Sequence, residues 1–144
     1  MLRPARPVAE VDPGLAAWLA AAPAVVYVNL GTHVFYDAER AGEMAGAVKR
    51  LLLSSEVGEG GKGVRVLWKI PQRGRELEVE GGKGKEWVFG AGGVVERVLG
   101  EEVKAGVVRV VDWLEAEPMA VLESGVVVCA VHHGGANSFL EAVW

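Results

Sequence analysis

The residues with the best placed chemistry lie near the C-terminal end of the sequence. Val126 to Val131 is an apolar, mostly β-branched run, and His132-His133-Gly134-Gly135-Ala136-Asn137-Ser138 follows it. The pattern predicts a buried strand, a tight turn and the start of a helix. The first amides of a helix have no partner within it, and the dipole adds roughly half a positive charge there, so such a turn can hold a phosphate. Glycines allow the backbone to approach a ligand closely, and Asn137 and Ser138 add donors. Glu141, four residues after Asn137, falls on the same helical face and is suited to accept hydrogen bonds from sugar hydroxyls. Phosphate and ribose recognition together indicate a nucleotide.

Two further loops carry groups of matching chemistry. Gly31-Thr32-His33 closes the β-forming run Ala24–Leu30 and offers a hydroxyl beside a phosphate. Asp112-Trp113 follows Val107–Val111, and the indole of Trp113 gives a flat base a face to stack on, worth about 1–3 kcal/mol. His33 is balanced between donor phosphate and water.

The elements that must position these loops read as alternating strands and helices. Residues 1–12, with two prolines and no period, are expected to be linker-like, ahead of a domain over 13–144. Asp12 is placed to cap a helix that Pro13 opens and Pro23 ends. Ala38 to Leu53 has helical spacing, Val64 to Ile70 is a second strand that stops at Pro71, and Val107 to Val111 and Val126 to Val131 are the third and fourth. Gly93 to Lys104 is read as a helix weakened by glycine, and Pro118 to Leu122 as a short one. Ser54 to Gly63 and Gln72 to Trp87 are expected to be irregular. Strands spaced by more than a hairpin indicate a Rossmann-like parallel α/β sheet of about four strands flanked by helices, with ligands at its carboxyl edge.

Composition narrows the classes. At 144 residues and 51% hydrophobic content the chain can bury one core. A formal net charge of -4 gives no basic field for nucleic acid. The single cysteine, Cys129, excludes a disulfide framework and, expected to be buried in its strand, indicates a reducing, cytoplasmic setting. The proline-broken start is unlike a signal peptide, and no apolar run reaches the length of a membrane span. Glycine-rich stretches lack the hydroxyl of a phosphate-binding P-loop and the third glycine of a dinucleotide fingerprint, Cys129 with His132 and His133 is too small a set for zinc, and Ser138 is not on a nucleophile elbow.

Trp113-Leu-Glu-Ala-Glu-Pro-Met-Ala-Val-Leu122, followed by His133-Gly-Gly-Ala-Asn-Ser-Phe-Leu-Glu141, resembles the donor-binding signature of UDP-dependent glycosyltransferases of GT-B architecture. Upstream, Leu15-Ala-Ala-Trp-Leu19 and Val25-Val-Tyr-Val-Asn-Leu-Gly-Thr32 are similar to the segment that opens the C-terminal half of those enzymes. The resemblance covers most of the chain in the family's order. It implies that Trp113 stacks on uracil, that His133, Gly135, Asn137 and Ser138 surround the pyrophosphate, that Thr32 meets phosphate and that Glu141 holds ribose. It further implies inverting, metal-independent hexosyl transfer to an acceptor hydroxyl, with no cofactor beyond the UDP-sugar donor. The family's general base belongs to an N-terminal domain, so no catalytic residue is expected in this chain.

Departures from the signature are clear. Glu115-Ala-Glu-Pro118 replaces the usual Pro-Gln, Ala136 stands where many members have tryptophan, and the later Gly-x-Pro turn and acidic-Gln pair do not occur before Trp144. An incomplete GT-B C-terminal domain, truncated at both ends and inactive alone, is therefore expected. The competing readings are a donor-binding subunit that works with a separate acceptor-domain chain, and a non-catalytic remnant. At single positions, Trp113 has capping of the core as its alternative, Asn137 and Ser138 mere helix capping, and Glu141 a solvated helix position. His132 reads as structural, and Trp18, Trp68 and Trp87 as packing residues.

Overall fold

The computed structural model describes residues 5–31, 34, 36–55, 63–71, 75–79, 82–86 and 92–143, the side chains of 75–79, 82–86, 137, 141 and 142 excepted. Its elements are α1 (Val8–Val11), α2 (Pro13–Ala20), β1 (Val25–Asn29), α3 (Ala38–Ser55), β2 (Arg65–Lys69), β3 (Arg75–Val79), β4 (Gly82–Glu86), α4 (Val94–Lys104), β5 (Val108–Val111), α5 (Pro118–Leu122), β6 (Val127–His132) and α6 (Ala136–Val143). Four strands form a sheet in the order β5-β2-β1-β6, all parallel. The α/β Rossmann-like fold expected from the sequence is the fold observed.

Burial explains the strand sequences. In β1, Val26 and Val28 face a cluster made with Val66, Trp68 and the apolar stripes of α3 and α4. Val25 and Tyr27 face the other side, where Leu67 meets Leu15 and Leu19 of α2 and Ala120 and Val121 of α5. A strand covered on both faces reads as continuously apolar, and this holds for Val25–Val28 of β1 and for Val66–Trp68 in the middle of β2. Trp68 is the largest fully buried side chain, with the Tyr36 ring edge-on at 5.9 Å and 80°. The helix caps follow the expected chemistry: the Leu15 N–H donates to Asp12 Oδ1 at 2.8 Å, and Pro13 begins α2.

Three expectations need correction. Within the stretch read as linker, residues 8–11 make one helical turn and Val8 is buried, because the apolar cluster beneath α2 gives it a place to pack. Residues 75–79 and 82–86, read as irregular, form an antiparallel hairpin. Its register sets Arg75 opposite Glu86, Glu76 opposite Lys85 and Glu78 opposite Lys83. Cys129, expected to be buried, is exposed. Strand β6 pairs only with β1 among the described strands, and Val128 is 66% exposed. Residues 56–62 of the expected loop lie outside the described residues.

Candidate donor-nucleotide site

In this strand order the chain passes from β1 to β2 on one side and returns to place β6 on the other. The break in winding direction therefore lies between the carboxyl ends of β1 and β6, where open parallel sheets place their ligands. Asn29 and His132 are register partners there.

The turn after β6 is shaped by its own side chains. The Gly134 N–H donates to His132 Nδ1 at 3.1 Å, with Gly134 at φ +75°. His133 is exposed, and its imidazole lies between two glycines. A Cβ on Gly31 would sit 3.0 Å from His133 Cε1, and one on Gly135 would collide with His133 Nε2. Gly31 also has φ +85°, in the left-handed region that favours glycine. The two loops meet only because both lack side chains at the contact. Hydrogen bonding in α6 begins with the Phe139 N–H donating to the Gly135 carbonyl at 2.9 Å. The amides of Ala136, Asn137 and Ser138 precede that bond and form the free first turn. Ser138 lines a small crevice with Tyr27, Asn29 and His132.

At the other edge, Trp113 follows β5 and is 61% exposed. Three strand spacings separate β5 from β6, about 14 Å. The row between them is continuous: Lys69 ends β2 as the register partner of both Asn29 and Val111. The Lys69 ammonium lies 5.2 Å from the centre of the Trp113 ring.

Of the residues expected at the site, the structure brings His133, Gly135 and Ser138 to the β1–β6 mouth and sets Trp113 at the far end of the same carboxyl edge. The backbone places Asn137 in the first turn of α6 and Glu141 one turn on, and their side chains are outside the described residues, as are Thr32 and His33 altogether. Two residues escaped sequence reasoning. Asn29 accepts from the Gly31 N–H at 3.0 Å and donates through Nδ2 to the Tyr27 hydroxyl at 2.9 Å, fixing the β1 turn; its Asn-x-Gly spacing was a usable signal. Lys69 is the buried charged side chain among the described residues, 8% exposed, and burial pushes its pKa below the usual lysine range. Its position in an alternating strand gave no such signal.

No protein-family profile matches the chain. The glycosyltransferase sdnJ of Sordaria araneosa is 41% identical over 138 residues, which are 96% of this chain and 23% of that protein. Over almost its whole length this chain is therefore similar to one segment of a glycosyltransferase. A ugt transferase from Siraitia grosvenorii in complex with UDP has the same fold, with a TM-score of 0.63, 23% identity, and coverage of 94% of this chain and 26% of that one. Os79 from O. sativa, also in complex with UDP, gives a TM-score of 0.55 and 19% identity over 90% of this chain and 23% of its own. The chain spans about a quarter of the length of the proteins it matches. Among its described residues no helix is long and apolar enough to cross a membrane.

Proposed function

We propose that this chain binds the UDP part of a UDP-sugar and serves as the donor side of hexosyl transfer to an acceptor hydroxyl. The observation that carries the reading is the continuous carboxyl edge, with a glycine-lined anion turn at the switch point and an exposed indole at its far end. An elongated ligand with a flat base and a diphosphate fits that layout, and the UDP in both structural neighbours supports it. In this reading uracil stacks on Trp113. The diphosphate meets the first amides of α6 with His133, Gly135, Asn137, Ser138 and Thr32, and Glu141 accepts from ribose. The α6 dipole and His133 stabilise charge on the departing phosphate without a metal, in an inverting displacement. The general base and acceptor pocket lie outside these residues, so the polypeptide alone binds UDP and transfers no sugar. A reducing, cytoplasmic setting suits its exposed free Cys129.

Calorimetric titration with UDP tests this directly. Saturable binding that persists in EDTA, weakens about tenfold or more in Trp113→Ala and falls in His133→Ala supports the reading; absence of binding, or indifference to both changes, overturns it. Exposed Val128, Val131, Phe139 and Leu140 favour a second form of the proposal, in which the chain is a donor subunit docked on a separate acceptor chain. Sugar transfer by the purified polypeptide alone would remove the need for any partner.

A further inference from the structure

Lys69 is unusual as a lysine only 8% exposed that has no carboxylate beside it: no acidic side chain among the described residues pairs with it. Its partner is instead the face of an exposed neutral ring, the Trp113 indole with its centre 5.2 Å away. Withdrawing an ammonium from water is costly, and the face of an aromatic ring offsets part of that cost. We infer that Lys69 is a positioning residue for the donor base: its ammonium grips one face of Trp113 and holds the indole so that the opposite face is presented to uracil. The inference rests on the proposed binding of UDP at this edge.

The geometry supports the arrangement step by step. Lys69 belongs to β2, the strand between central β1 and edge strand β5, and it is paired in register with Asn29 and Val111, so its backbone is held on both sides. Trp113 lies two residues beyond Val111, past the last residue of β5, and lacks the cover of a neighbouring core. A large exposed side chain in that position loses rotamer freedom when it stacks on a ligand, and a cation fixed beneath it removes part of that freedom before binding. Burial also lowers the Lys69 pKa, consistent with an amine held against an aromatic face rather than against an anion.

The test compares uridine with UDP on the purified chain, in the wild type, Lys69→Met, Lys69→Arg, Trp113→Ala and the Lys69→Met/Trp113→Ala double variant. Methionine keeps the length of the stem and removes the buried charge, so Lys69→Met is expected to melt no lower than the wild type. Binding should move the other way. Lys69→Met weakens uridine and UDP by the same factor, about tenfold, Lys69→Arg restores most of it, and in the Trp113→Ala background Lys69→Met has no further effect. Without ligand, the emission contributed by Trp113, taken as wild type minus Trp113→Phe, shifts in Lys69→Met. Loss of UDP affinity with uridine unchanged assigns Lys69 to the diphosphate and overturns the inference. So does a Lys69→Met variant that binds both ligands as the wild type does while Trp113→Ala still fails. If Trp113→Ala itself binds UDP normally, the proposed donor site falls, and the inference with it.

Discussion

Strands β1 and β6 lie side by side, run parallel and are both rich in valine, yet they live in different environments. Val25 to Val28 of β1 are 0–7% exposed, whereas in β6 Val128 is 66% and Val131 38% exposed. The difference lies in what covers each strand. Central β1 has β2 and β6 at its sides and helices α2 and α5 on one face, α3 and α4 on the other. Among the described residues β6 has β1 alone in the sheet, with α5 and α6 packed near it. The half built on β1, β2 and β5 is the better covered one. The half that carries the His133 turn is the less covered one, and local opening free energies are lowest where few apolar contacts are buried.

Mutations can break this contrast. The largest effect is expected in the better covered half, where Trp68→Ala empties the centre of the larger cluster and costs about 3–5 kcal/mol. Val128→Ser on β6 should stay within about 0.5 kcal/mol, and equal losses by chemical denaturation would show the two halves to be equally packed. Next comes Gly31→Ala, which forces a methyl group into the His133 imidazole at a left-handed φ. A loss of about 1–2 kcal/mol is expected in the melt, and UDP affinity should fall further than Ser138→Ala reduces it. Normal UDP affinity in Gly31→Ala would mean that the β1 and β6 loops need not touch.

A smaller effect sharpens the better covered side through pH. The Lys49 ammonium lies 2.5 Å from Glu102 Oε1 and ties α3 to α4. Burial pushes the Glu102 carboxyl up, and the hydrogen bond and charge of Lys49 outweigh it, so the pKa lies below the usual 4.5. A depressed folded pKa gives stability that is fully present above 4.5 and is lost as pH falls through the folded value. Lys49→Met should remove that acid-side slope at a cost of no more than about 1 kcal/mol, since the pair is partly exposed. Lys69 follows the same sign at the other end of the scale: its depressed pKa makes burial unfavourable at neutral pH, and stability rises as pH climbs from the folded value towards 10.5. That slope should vanish in Lys69→Met. The mildest probe is Cys129, whose thiol should react with a disulfide reagent in the native protein and be shielded if a partner covers β6.

The fold was largely legible because apolar period carries it. Residues 38–53 announced α3, Pro118 announced α5, and the glycine pair after a valine run announced the β6 turn. The hairpin at 75–79 and 82–86 was not legible, since glycine, lysine and glutamate are weak strand formers and its pairing is visible only once the register is known. His133, Gly135 and Ser138 were readable from one short run of sequence. Asn29 was readable in principle from Asn-x-Gly. Lys69 was not, because nothing local distinguishes a buried lysine under an indole from an ordinary solvated one.

Sequence alone determined the alternation of strands and helices, the caps and the glycine turn after β6, all of which depend on neighbours within a few residues. Only the tertiary structure decided that β6 has one partner where β1 has two, that Gly31 and Gly135 enclose His133 from different strands, and that Lys69 lies against Trp113. Those contacts join residues far apart in the chain, and they depend on strand order, which no local pattern of residues encodes.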